Sequence, residues 1–195
     1  MKIRVFFLCL IFLFLAPLFA WAKDARIENL SVEMIKEEGG TPPAIIVSFA
    51  LEDGFNGSIM RDIQDGIQKD FYYYVVLNQK QKHWFYEEIA EKTIRYTVKY
   101  DTLKKDYTVG RREGANRADR VFDSQEEMRA FISREQKIRL AATSFLKQDH
   151  RYNVWVKAQM KASHIPRDLG RFLFFIPFLD IDTPWAKSGS LYAPP

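Results

Sequence analysis

Apolar side chains recur at every second position in one segment of this chain after another. The clearest case is Thr93 to Tyr100, where Ile94, Tyr96, Val98 and Tyr100 alternate with Thr93, Arg95, Thr97 and Lys99. Successive side chains of an extended strand point to opposite faces, so this period buries one face of a sheet and wets the other. Tyr152, Val154, Val156 and Ala158 alternate in the same way with Asn153, Trp155, Lys157 and Gln159. A helix, with its 3.6-residue period, would scatter these apolar positions around its circumference.

Other segments extend the pattern. Leu30, Val32 and Met34 alternate with Ser31, Glu33 and Ile35, following Arg26-Ile27. After the breakers from Glu37 to Pro43, Ile45, Val47, Phe49 and Leu51 share a face opposite Ile46, Ser48 and Ala50. The two runs predict an antiparallel hairpin with a loose loop. Phe71 to Leu77 is aromatic or β-branched on both faces, the composition of a central strand. A polar loop from Asn78 to His83 comes next, and Trp84-Phe85-Tyr86 resumes the sheet. Thr102 to Asp106 reads as a turn, Tyr107-Thr108-Val109 as a returning strand, and Gly110 to Asp119 as a charged loop. Ile138 to Leu146 is a further strand.

Two segments carry the helical period instead. Ile59, Ile63 and Ile67 are spaced four apart, with Asn56 or Ser58 placed to cap a helix of about a dozen residues. Asp123 to Glu127 has capping-box spacing, and Met128, Phe131 and Ile132 form the apolar face behind it. Pro166 is placed to start a short third helix through Leu169. Strands mostly succeed strands, so the expected fold is mainly β with helical insertions (α+β): an antiparallel β-sandwich or open barrel of about 7–8 strands with two amphipathic helices.

The N-terminus has a different logic. Lys2 and Arg4 precede an apolar run from Val5 to Phe19, and Ala20-Trp21-Ala22 supplies a small-x-small site. This is the pattern of a secretory signal peptide over residues 1–22, cleaved after Ala22, with the product in the periplasm. The run of about 15 residues is short of the roughly 20 that span a bilayer as a helix. The chain beyond the leader reads as one β-rich domain over 23–187 and a flexible tail over 188–195. Without Lys2 and Arg4 the formal charge falls from +4 to +2, which does not support a nucleic-acid footprint. Cys9, the one cysteine, lies in the leader, so the remainder has no disulfide, thiol nucleophile or thiolate metal site. The sequence holds no second spanning segment, because the apolar stretch from Phe172 to Ile181 is short and contains Pro177.

Ala25 to Glu28, Ile94 to Asp101, Tyr107-Thr108-Val109, the capped helix Ser124 to Ile132, Arg151 to Ala158, Ile165-Pro166 and Trp185 follow one another in this order. This succession resembles the DUF4390 family of exported bacterial proteins. The resemblance covers essentially all of the chain after the leader. It implies export, a predominantly β domain and genes often found beside membrane sensor kinases, and it carries over no catalytic residue. This chain departs from the family's pattern at Gln79 to Phe85, where lysines stand in place of an aromatic-rich segment flanked by arginines.

The chemistry-bearing residues are scattered. His83, His150 and His164 form no H-x-x-x-H or H-E-x-x-H spacing. Asp180-Ile181-Asp182 before Thr183-Pro184 reads as a turn that serves structure. Glu87, Glu88, Glu91, Asp101 and Asp106 are solvated charges that nothing in the sequence pairs across a cleft. Ser144 and Ser163 lack a G-x-S-x-G context, and no glycine-rich phosphate loop is present. The expectation is therefore a non-enzymatic domain with no cofactor and no metal, binding an envelope partner such as a sensor kinase. The alternative is a carrier of an apolar or lipid-like ligand, with strand aromatics lining a groove. The candidate contact surface comprises Trp84, Phe85, Arg111, Arg112, Phe174, Phe175 and Trp185. Of these, Arg111 and Arg112 belong to a basic stretch with Arg117 and Arg120.

Overall fold

A computed structural model describes residues 24–35, 42–82, 85–162 and 179–193. The leader, His83, Trp84, Ser163, His164, the expected helix at Pro166 and the stretch from Phe172 to Phe178 lie outside the described residues.

The alternating segments become strands. In chain order they are β1 (Arg26–Ile35), β2 (Ala44–Glu52), β3 (Lys69–Lys80), β4 (Tyr86–Asp101), β5 (Asp106–Glu113), β6 (Asn116–Phe122), β7 (Arg134–Ala142), β8 (Arg151–Ala162), β9 (Leu179–Asp182), β10 (Ala186–Lys187) and β11 (Leu191–Tyr192). Helix α1 (Gly57–Gln64) joins β2 to β3, and α2 (Gln125–Ser133) joins β6 to β7. All pairing is antiparallel. A small sheet has the order β1-β2-β7. A large sheet of eight strands runs β8-β3-β4-β5-β6, with β9, β10 and β11 sharing the far edge of β8. The large sheet does not close, so the architecture is an α+β sandwich.

The core lies between the sheets. Ile45, Val47, Phe49 and Leu51 of β2 meet Phe71, Tyr73, Val75 and Leu77 of β3 and the inward residues of β4 and β8 in one cluster. Phe49 and Tyr73 pack at 5.2 Å between ring centroids, directly across the gap. Burying each such side chain contributes about 1.5–3 kcal/mol. The tyrosine hydroxyls need partners there, and Tyr73 Oη donates to the backbone oxygen of Ile132 at 2.8 Å.

The two helices pack against this core next to each other, Gln64 of α1 donating to Gln125 of α2 at 3.4 Å. Asn56 caps α1, its Oδ1 accepting from the backbone N–H of Ser58 and Ile59 at 3.1 and 3.0 Å. Ile59, Met60 and Ile63 are its buried face. The helix is shorter than the expected dozen residues because Gly66 adopts a left-handed φ of +85°, which leaves Ile67 beyond the helix and exposed. Ser124 caps α2, accepting from the Glu127 N–H at 3.2 Å.

Three further expectations are corrected. Gly110 to Asp119 is not a loop: β5 runs on to Glu113, Gly114 turns at φ +58°, and β6 returns from Asn116. Strand β6 is polar on both faces because it forms the open edge of the sheet, where charge guards against edge-to-edge pairing. The Asp180-Ile181-Asp182 segment lies within β9 rather than in a turn. Residues 188–193, expected to fray, lie along β8. Ser188 donates its N–H to Val154 O at 2.9 Å and accepts from the Val154 N–H at Oγ, and Leu191 pairs with Tyr152.

Candidate binding site on the outer face of the large sheet

Strand alternation sends Tyr72, Tyr74, Val76 and Asn78 of β3 away from the core. Antiparallel register then builds rows across this outer face. One row reads Arg117, Arg112, Arg95, Tyr72, Gln159 and Asp182, drawn from β6, β5, β4, β3, β8 and β9. Two residues along, Tyr74 lies between Thr93 and Lys157, then Val76 between Glu91 and Trp155, then Asn78 between Glu88 and Asn153.

The β8 half of the face is aromatic. Trp155 meets Tyr86 edge-on at 4.9 Å and lies 6.3 Å from Trp185, which sits between β9 and β10. Tyr72 and Tyr74 run nearly parallel, 12° apart. Lys187 Nζ lies 4.1 Å over the Trp155 ring, and Lys157 Nζ 5.9 Å from the Trp185 centroid. Between these groups is a groove of about 410 Å³ with Val76 as its aliphatic member and Tyr74, Trp155 and Trp185 as its aromatic ones. Its polar lining includes Asn78, Glu88, Glu91, Lys157 and Gln159. Lys157 pairs with Asp182 at 2.6 Å and Gln159 Nε2 donates to the same carboxylate at 3.1 Å. The Lys157 hydrogen bond is the main reason the Asp182 pKa lies below the usual carboxylate range. Asn78 is only 6% exposed, yet its Nδ2 meets no acceptor among the described residues.

The β5–β6 half is basic. Like charges directly opposite each other on neighbouring strands are destabilising, and here three arginines stand in one row. Arg95 answers to Asp70 at 2.7 Å and Arg117 to Asp119 at 2.9 Å. Arg112 is exposed and has no carboxylate partner among the described residues. A hollow of about 170 Å³ lies beside it, opened by Gly110 and bordered by Arg95, Thr97 and Arg117. A Cβ at Gly110 would stand 2.9 Å from Asp119 Oδ1, so the missing side chain is what keeps this space.

The expected contact residues separate. Arg112 and Trp185 share the outer face, and Phe85 projects at the start of β4, 73% exposed. Arg111 points the other way. It pairs with Glu135 at 3.2 Å and Glu113 at 2.8 Å between the sheets. Burial is the largest influence and works against its charge, but the hydrogen bonds and charges of Glu135 and Glu113, together with Tyr96, outweigh it and raise its pKa. Period two separates Arg111 from Arg112 as soon as β5 is recognised as a strand. Trp84, Phe174 and Phe175 lie outside the described residues. Asn78 escaped the sequence reading because it was placed in a loop; the β-pattern of Phe71 to Leu77, extended by three residues, would have found it.

Among the described residues no three histidine, cysteine or acidic side chains are grouped to hold a metal ion, and no helix is long and apolar enough to cross a membrane. No curated protein and no solved structure matches the chain. The family model described as "Domain of unknown function (DUF4390)" matches residues 22–188, most of the chain's length. The chain belongs to the DUF4390 family.

Proposed function

We propose that this protein is a non-enzymatic accessory domain of the bacterial envelope, exported to the periplasm, that works by binding through the outer face of its large sheet. The observation that carries the reading is Arg112. It stands between two arginines across the strands, each already engaged by its own aspartate, and has no carboxylate of its own among the described residues. An acidic segment of a partner protein would relieve the repulsion in this row and form bidentate bonds to the guanidinium. Arginine, tryptophan and tyrosine are the residues that dominate protein interface energetics, and this face gathers all three. The leader supports export, and the DUF4390 resemblance makes a membrane sensor kinase or another envelope complex the expected setting.

Photo-crosslinking in cells tests this. A photoreactive residue replacing Arg112 should capture one envelope protein, and Arg112→Glu should lose that protein on co-purification. The same probe at Glu33, on the outer side of the small sheet, should capture none. Equal capture from both positions, or none from Arg112, would sink the reading. Mass spectrometry of the exported protein should find Lys23 at its N-terminus.

A further inference from the structure

We infer that the groove between Tyr74, Trp155 and Trp185 is a saccharide subsite that takes a sugar ring against its aromatic wall. This rests on the reading that the outer face is a binding surface, and it names the ligand for the half of that face away from the arginines.

The first argument is the backbone. The groove lies over β3, which pairs with β4 on one side and β8 on the other throughout its length. Its N–H and C=O groups are therefore engaged within the sheet, and a peptide cannot add itself there as a strand. Any ligand must be held by side chains alone.

The second is the mixture of side chains. A lipid chain wants an apolar cavity, but this groove alternates ring faces with amide, carboxylate and ammonium groups: Tyr74, Trp155 and Trp185 beside Asn78, Glu88 and Lys157. A sugar ring matches this mixture. Its C–H face packs on an aromatic ring, whose face is electron-rich, and each hydroxyl both donates and accepts. Glu88 faces the groove with no partner among the described residues, so it is free to accept from a hydroxyl.

The third is Asn78. A buried amide donor without an acceptor costs about 1–3 kcal/mol. Asn78 Nδ2 is such a donor, in a side chain 94% removed from solvent that lines the groove. A ligand oxygen, from a hydroxyl or an acetamido carbonyl, would satisfy it once the side chains that cover the nitrogen part. From Tyr74 to Asn78 the groove runs four residues, about 13 Å.

The test uses the purified full-length chain with three probes: the tetramer of N-acetylglucosamine, cellotetraose and maltotetraose. Tryptophan fluorescence should change saturably with at least one of them in the millimolar range, and saturation-transfer NMR should place the contact on the ring C–H protons. Trp185→Ala, at a position 40% exposed, should abolish the response while the far-UV circular dichroism stays that of the parent. Asn78→Asp, which removes the donor, should weaken it severalfold. Glu33→Gln, on the outer side of the small sheet, should leave it unchanged. The inference is overturned if none of the three sugars gives a saturable signal, or if Trp185→Ala binds like the parent. Sugar binding without capture from Arg112 would remove the partner-protein reading alone. Capture without sugar binding would remove this inference alone.

Discussion

Tyr96 Oη donates a hydrogen bond of 2.7 Å to Glu135 Oε1, tying β4 of the large sheet to β7 of the small one. Both side chains are buried, and Arg111 reaches the same carboxylate from β5. The three form a charged bridge between the two layers. Burial is the main cause of the raised Tyr96 pKa, and the negative charge of Glu135 adds to it, so the phenol stays protonated as the donor.

Removing Glu135 leaves a buried phenol without its acceptor and a half-buried arginine with Glu113 as its remaining carboxylate. Glu135→Ala should therefore cost about 3–5 kcal/mol, while Tyr96→Phe, which deletes the bond to Glu135 and the one accepted from Arg111 Nε at 3.1 Å, should cost about 1.5–3 kcal/mol. Urea denaturation at neutral pH reads both. A Glu135→Ala loss below that of Tyr96→Phe would show that the bridge is not a stabilising unit.

Packing at the end of β2 gives a second expectation. A Cβ built on Gly54 would lie 2.4 Å from Leu51 Cδ2, and Leu51 is only 3% exposed. Gly54→Ala should destabilise the protein by about 1–3 kcal/mol through overpacking. The double variant Gly54→Ala with Leu51→Val should recover part of that loss, which a thermal-melt double-mutant cycle would detect as coupling.

Acid should unfold the protein in part through Glu113. Burial disfavours its charge, but hydrogen bonds from Lys92 at 2.7 Å and from Arg111 outweigh it, and its pKa lies below the ordinary value. A carboxylate depressed in the folded state contributes stability that is complete above the unfolded pKa, about 4.3 for glutamate. That contribution is lost as pH falls from there through the folded value. Glu113→Gln should lower stability at pH 7 and flatten the decline between about pH 5 and pH 3. A decline as steep as the parent's would assign the acid sensitivity elsewhere.

The caps offer a smaller effect. Asn56→Ala removes the acceptor of two α1 backbone amides and should cost about 1 kcal/mol, with Asn56→Gly milder. Ser124→Ala should cost a similar amount at α2. Chemical denaturation of the three variants checks the ranking.

The long strands and both caps could be read from the chain because local periodicity and local hydrogen bonding produce them. Tyr152 to Ala158 alternates, and one face of β8 is buried accordingly. The β5–β6 hairpin could not be read in this way. Arg117, Asp119 and Arg120 are charged on both faces, and edge strands need no apolar period. The short strands β9 to β11 have two to four residues each and take their direction from β8. The outer-face site was half legible: aromatic positions showed in the composition, but the row joining Arg117 to Asp182 exists only through the pairing of six strands.

The far edge of β8 is closed by β9, β10 and β11 in succession, with Trp185 between the first two and Ser188 between the second and third. A continuous partner strand would have to peel away as a whole. Three patches can release one at a time. All of them come after β8 in the chain, so the edge stays bare until they dock, and the folding chain carries an unpaired strand edge of up to twelve residues until then. That interval is when strand exchange between copies, or capture by a chaperone, competes with completion of the sheet.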